Sequence, residues 1–160
     1  YRILDASTAP IGFGIYAEFT FRPGFFELEN KLIFDKRLPK DNFALNIVNE
    51  YERETELVKG EKEYETEDEV ELDLGYMHMF KPTFGLGAEF RNSNEIEEGA
   101  WNFSATFGGP TMFIAGKEHF LILSFMPQLI NLHKTDDAPD NLALVASEKY
   151  AFRLLWGFGL

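Results

Sequence analysis

The last eleven residues of the chain, Y-A-F-R-L-L-W-G-F-G-L from Tyr150 to Leu160, decide its fold class. Every second residue is large and apolar or aromatic: Tyr150, Phe152, Leu154, Trp156, Phe158 and Leu160. The alternate positions are mostly small or charged: Lys149, Ala151, Arg153, Leu155, Gly157 and Gly159. Because side chains of a β-strand point alternately to two faces, the stretch predicts a strand with one apolar face that lipid or protein must cover.

The same alternation recurs along the chain, and no segment has a convincing helical period. It predicts strands over residues 11–21, 25–35, 42–54, 69–80, 84–91, 100–115, 119–130 and 150–160, with residues 1–4 as the end of another strand. The strand at 100–115 places Phe103, Ala105 and Phe107 opposite Asn102, Ser104 and Thr106, and Gly108-Gly109-Pro110 predicts a bulge or kink within it. These features predict a single all-β domain, an antiparallel up-and-down transmembrane β-barrel.

Composition excludes several classes of function. The net charge is −12, which argues against binding of nucleic acid, because that requires clustered Lys and Arg. The chain has no cysteine, so a disulfide framework and a thiolate metal site are both excluded. The three histidines fall in separate segments without a nucleophile or a recognised ligand spacing beside them. We therefore predict no enzymatic activity, no cofactor and no metal site.

The predicted connections differ in length at the two ends of the sheet. At one end lie 22–24, 55–68, 92–99 and 131–142, and all but the first are long and polar. At the other end lie the shorter connections 5–10, 36–41, 81–82 and 116–118. Bacterial outer-membrane barrels have short periplasmic turns and longer external loops. The contrast therefore favours a membrane barrel.

The terminal pattern resembles the assembly signal of bacterial outer-membrane β-barrels, although the last residue is Leu160 where an aromatic is usual. The stretches Y-A-E-F-T at 16–20, E-L-E-N-K-L at 27–32, G-L-G-A-E-F-R-N at 85–92 and A-T-F-G-G-P-T-M-F-I-A-G at 105–116 resemble porin-like or transporter-like outer-membrane proteins. This resemblance implies a location in the bacterial outer membrane. It implies as partners the lipid bilayer, the barrel-assembly machinery during biogenesis and other envelope proteins.

The resemblance also bears on the number of strands. In such relatives about four more strands precede the matching ones, which gives a barrel of roughly twelve. The chain would then be a C-terminal portion that lacks the N-terminal strands. In the alternative, its eight strands close into a barrel by themselves, since eight is an allowed even number.

The polar face of the strands carries the candidate functional residues. If the apolar face meets lipid, the charged side chains point into the lumen: Glu18, Glu29, Lys31, Glu71, Asp73, Glu89, Arg91, Lys149 and Arg153. They predict a porin-like pore or transporter for small solutes with a net acidic lumen that prefers cations. One alternative is a closed barrel with a structural or partner-docking role, held rigid by an interior salt-bridge network. Another is a soluble lipocalin-like carrier with the phenylalanine-rich face turned inward around an apolar ligand.

Overall fold

The computed structural model describes residues 1–58, 61–97, 99–135, 141–144 and 147–158. They form one antiparallel sheet in which each strand pairs with the next along the chain. The strands are β1 (Arg2–Leu4), β2 (Gly12–Arg22), β3 (Phe25–Arg37), β4 (Asp41–Val58), β5 (Glu61–Lys81), β6 (Phe84–Glu97), β7 (Ala100–Ala115), β8 (His119–Asn131) and β9 (Tyr150–Phe158). The predicted all-β, up-and-down antiparallel architecture is confirmed.

All eight predicted strands are present, and β1 is the predicted strand end. The last two residues of the predicted terminal strand, 159 and 160, lie outside the described residues. The bulge predicted in β7 lies on the side that pairs with β8. There the register shifts after Thr106, and Gly108 to Pro110 do not pair with β8. A methyl group on Gly109 would lie 2.0 Å from the carbonyl oxygen of Phe125, so the glycine permits the two backbones to approach closely.

Two predicted loops are strands, so those predictions were wrong. Residues predicted as the loop 55–68 belong to β4 and β5, which pair as far as Val58 and Glu61. Residues predicted as the loop 92–99 extend β6 to Glu97. Their charged side chains suggested a loop, but a hairpin satisfies the backbone hydrogen bonds while both faces remain hydrated. The connections at this end are therefore short, and the predicted contrast in loop length is not found, except at the connection 132–149.

The sheet is curled, and one of its faces is concave. Arg153 of β9 forms an ion pair with Glu89 of β6 across the two strands between them. Three strand spacings in a flat sheet would separate these strands by roughly 14 Å. The two side chains can meet because the face that bears them is concave, and the opposite face is convex.

The strand order runs from β1 to β9, so the described sheet is open and these two strands are its edges. The described residues therefore do not close into a complete barrel by themselves. Across the described part of the chain, no helix has the length and apolar character needed to cross a membrane.

The densest packing lies on the concave face of β7 and β8. Phe103, Ala105, Phe107 and Met126 are buried there, and Ala143 from the connection 132–149 packs against them. Apolar side chains were expected to line the outward face of every strand. In the N-terminal half of β7 that expectation was wrong, because Phe103, Ala105 and Phe107 lie on the concave face, where Ala143 joins them in one buried cluster.

Candidate functional site

The convex face is apolar and exposed over much of the sheet. On β9 its side chains are Phe152, Leu154, Trp156 and Phe158, and Phe152 is 79 % exposed. On β5 the convex apolar positions run from Val70 to Phe80, ten residues along the strand. That length corresponds to roughly 33 Å, or about 25 Å in height for a strand tilted by about 40°.

Aromatic side chains contact one another at both ends of this convex face. At the end near the 22–25 turn, the ring of Phe26 lies 5.1 Å from that of Phe21 and 6.2 Å from that of Tyr51. At the opposite end, Trp156 and Phe158 have ring centroids 4.7 Å apart. Ring contacts also lie within the band, between Phe43 and Tyr76, so aromatic side chains occur along the height of the convex face, its two ends included.

The concave face carries eight of the nine predicted site residues, as the strand register places them on one side of the sheet. Lys31 Nζ lies 2.9 Å from Glu29 Oε1. Arg91 Nε lies 3.1 Å from Glu71 Oε2 and 3.3 Å from Asp73 Oδ1. Glu89 and Arg153 likewise form an ion pair.

The other predicted site residues are Glu18, Lys149 and the Glu89–Arg153 pair. Glu18 accepts a hydrogen bond from the hydroxyl of Tyr16 and stands opposite Glu29. Lys149 precedes β9, and its ammonium nitrogen lies 5.4 Å from the ring centroid of Tyr150.

Two rows of glutamates cross the sheet in the half that lies towards the connection between β4 and β5. We call them the glutamate rows. In the first row each residue is the direct cross-strand partner of the next: Glu18, Glu29, Glu50, Glu69 and Glu95. The second row is paired in the same way: Glu27, Glu52, Glu67 and Glu97. Directly opposed like charges on a sheet are destabilising, since their Cβ atoms are only about 5 Å apart.

Four members of the glutamate rows were not predicted to point into the lumen. Glu67, Glu69, Glu95 and Glu97 lie in stretches that the sequence suggested were loops or the margin of a strand. The alternation of glutamate with other residues was visible, but the register that aligns the glutamates depends on the length of the hairpins. Strand pairing, and not any single segment, generates the rows.

Some carboxylates of the glutamate rows accept hydrogen bonds from a neutral amide, and others lie close to one another. Asn102 Nδ2 donates to Glu97 Oε2 at 2.7 Å and to Glu95 Oε1 at 3.2 Å. Carboxylate oxygens of Glu27, Glu50 and Glu52 lie within 4.8 Å of one another. Such oxygen groups are the ligands that hard cations prefer, so the rows can attract and transiently coordinate cations.

A polar network lies next to the glutamate rows, towards the other end of the concave face. Glu89 forms an ion pair with Arg153 and accepts a hydrogen bond of 3.0 Å from Ser124 Oγ. Thr111 Oγ1 lies 3.0 Å from the same Ser124 hydroxyl. The network joins β6, β7, β8 and β9, and it leaves the Glu89 carboxylate neutralised.

The connection 132–149 is fixed to the concave face by hydrogen bonds. Gln128 Oε1 accepts from the backbone N–H of Ala143 at 2.7 Å, and Gln128 Nε2 donates to the carbonyl of Glu148 at 3.3 Å. The ring of His133 stacks on Trp101 at 4.3 Å between centroids. The predicted loop 131–142 is thus confirmed as a connection, although its residues 136–140 lie outside the described residues.

The end of the concave face farthest from the glutamate rows is apolar. One cross-strand level there reads Met79, Gly85, Phe113, Ile122 and Leu155. Beside it, in β1 and the turn that follows, Arg2 Nη1 donates to Asp5 Oδ2 at 3.1 Å. Hydrogen bonds from the side chain and backbone of Ser7, and from Arg2, lower the pKa of the Asp5 carboxyl to about 2.

The whole chain, residues 1–160, matches a protein family described as Family of unknown function (DUF6662). Comparison with curated proteins and with solved structures gives no match. Within its described residues, this chain forms a curled, antiparallel, all-β sheet with an acidic concave face. The chain therefore belongs to the DUF6662 family.

Proposed function

We propose that the chain forms part of the wall of a bacterial outer-membrane β-barrel, a porin-like pore or transporter for small solutes whose lumen attracts cations. The observation that carries the proposal is the opposite character of the two faces. The convex face bears exposed large apolar side chains, whereas the concave face bears the glutamate rows. A bilayer on the convex side and water on the concave side satisfy both surfaces at once.

The direction of curvature supports this assignment over the lipocalin-like carrier. A carrier of an apolar ligand would turn its phenylalanine-rich face inward. Here Phe19, Phe152 and Trp156 are exposed on the convex face, while Glu29, Glu50 and Glu69 line the concave one. In water the convex surface would be far larger than the apolar patches that monomeric proteins usually tolerate.

The height of the apolar band gives a first test. Its estimated 25 Å matches the hydrophobic band of outer-membrane barrels. The intact protein should require detergent or lipid to stay dispersed after extraction. Purification as a soluble monomer in buffer without detergent would overturn the membrane assignment.

The glutamate rows give a second test, which concerns transport itself. Opposed carboxylates cost stability, and such violations of local rules are typical of functional sites. The intact protein in a planar lipid bilayer should produce discrete conductance steps. With a tenfold KCl gradient across the bilayer, the reversal potential should have the sign of a cation-selective pore.

A closed barrel with a structural or partner-docking role is the second candidate. It is favoured by the connection 132–149, which folds onto the concave face, and by the Glu89–Arg153 pair beside it. These two features fill part of the interior with packed and neutralised groups. A protein that inserts into lipid vesicles but produces no conductance steps would support this candidate against the pore.

A further inference from the structure

A cavity of about 750 Å³ opens on the concave face at the end farthest from the glutamate rows. Its floor consists of Met77, Met79, Phe113 and Ile122, which we call the inner apolar floor. All four side chains are half-buried, so each keeps an accessible surface towards the cavity. The volume falls within the range of about 300–1,000 Å³ that is typical of small-molecule sites.

A glycine lets the two methionines lie flat on the sheet. A methyl group on Gly85 would meet Met79 Sδ at 2.7 Å and Met77 Sδ at 2.9 Å. Both thioethers therefore rest over the glycine, and Phe113 is its partner on the next strand. Thioethers and an aromatic ring are polarisable surfaces that bind apolar groups, especially aromatic ones.

The charged groups around the cavity are already matched. Glu89 pairs with Arg153, and Arg37 Nε lies 3.3 Å from Asp35 Oδ2. Arg2 pairs with Asp5 at 3.1 Å. Each of the five charged residues that line the described cavity thus has an oppositely charged neighbour. A charged ligand would lose hydration there without gaining an unpaired counter-charge.

We propose that this cavity binds a small, uncharged molecule with an apolar or aromatic body, which lies on the inner apolar floor. The inference deepens the proposed function and rests on it, because it names a class of solute for the same lumen. Solutes would meet the acidic rows at one end and an apolar binding surface at the other.

The four methionines of the chain provide the test, because they occupy three different environments. Met77 and Met79 lie on the floor, Met126 lies in the core, and Met112 lies on the convex face. The intact protein, labelled with ¹³C at the methionine methyl groups and held in lipid nanodiscs, would be titrated with benzyl alcohol. We expect saturable shifts of the Met77 and Met79 signals, with Met112 and Met126 unchanged. Parallel movement of Met112 would indicate partition into lipid and would overturn the proposal.

Charged analogues of the same ring test the chemical class. Benzylammonium and benzoate should bind at least about tenfold more weakly than benzyl alcohol, because either would enter with an unpaired charge. Equal or tighter binding of either ion would refute the assignment to uncharged ligands.

A matched pair of variants tests the position of the site. Phe113→Ala should weaken benzyl alcohol binding about fivefold, whereas Phe125→Ala, which removes a convex-face ring in contact with Phe152, should leave it unchanged. The Met126 signal reports whether each variant keeps the folded core. Equal weakening in both variants would remove the floor as the site. Because binding is measured without conductance, its failure is distinguishable from failure of the pore.

Discussion

Glu95 and Phe103 are direct cross-strand partners on the concave face, yet they belong to two different kinds of surface. Glu95 ends the first glutamate row, which crosses β2 to β6 and faces the open interior. Phe103 belongs to the buried cluster on β7 and β8, which Ala143 covers. The boundary between the acidic and the packed region therefore falls between two neighbouring strands at one level of the sheet.

The difference shows that the position of a side chain on a strand does not by itself determine its environment. Glu95 and Phe103 point to the same side, but only Phe103 is covered by the connection 132–149. Where that connection contacts the sheet, the concave face can be apolar. At the glutamate rows, which the connection does not cover, the same face is open to water, and carboxylates are tolerated because water screens their repulsion.

The largest effect should come from opening a cavity in the packed region. Phe107 is buried, so Phe107→Ala should lower the free energy of unfolding by about 3–5 kcal/mol. Phe152→Ala is the control, because the same truncation on the exposed convex face of β9 leaves no internal cavity, so its loss should be smaller. Urea unfolding in the presence of lipid vesicles measures both variants. Similar losses in the two would mean that the cluster under the connection 132–149 is not a packed core.

The next effect should come from the ion pair near the boundary between the regions. Arg153→Met leaves the largely buried Glu89 carboxylate without its counter-charge, although Ser124 still donates to it. Because the arginine is half exposed, we expect a loss of about 1–2 kcal/mol of stability.

The double variant Arg153→Met with Glu89→Gln provides the control for that change. It should recover part of the loss, since no uncompensated charge remains. Unfolding of the four proteins of this cycle measures the coupling energy. A coupling indistinguishable from zero would mean that the pair does not join β6 to β9 energetically.

Much of this architecture could be predicted from the alternation of residues alone. The strand at 100–115 was predicted with its exact limits, and the charged residues of β5 and β6 were placed on one face. The glutamate rows could not be predicted, because they depend on hairpins whose charged residues suggested loops. The environment of Phe103 and Phe107 could not be predicted either, since a connection distant in sequence covers them.

A smaller effect is expected in the open region, on ion selectivity. Replacing the first glutamate row by glutamine, at Glu18, Glu29, Glu50, Glu69 and Glu95, removes the carboxylates that attract cations. A cation about 4 Å from one carboxylate in water gains about 1 kcal/mol, so the K⁺ to Cl⁻ permeability ratio should fall about fivefold. Reversal potentials in planar bilayers measure the ratio.

The control for selectivity replaces acids that lie away from the concave face. Asp68 stands opposite Tyr51 on the convex face, and Glu118 lies in the turn between β7 and β8. Asp68→Asn with Glu118→Gln should leave the permeability ratio unchanged. An open channel whose ratio is unaffected by the loss of the glutamate row would exclude that row from the ion path.

The smallest effect concerns Asp5, whose carboxylate pairs with Arg2 beside the cavity above the inner apolar floor. Its pKa of about 2 lies below the ordinary value of 3.8, because Ser7 and Arg2 donate hydrogen bonds to the carboxylate. A lowered pKa in the folded state means that the charged form adds stability above the ordinary pKa. That contribution is lost as the pH falls from about 4 through about 2.

Ser7→Ala should therefore raise the pKa of Asp5 towards its ordinary value, and a ¹³C titration of the Asp5 carboxyl measures the change. Thr8→Ala is the matched control, because the Thr8 hydroxyl donates to the backbone carbonyl of Asp5 and not to its carboxylate.

If the Arg2–Asp5 ion pair beside the cavity persists at acid pH, benzyl alcohol binding at about pH 3 should equal that at about pH 7. Binding that is lost on acidification to about pH 3 would contradict the view that the Asp5 carboxylate stays charged and paired with Arg2 beside the cavity.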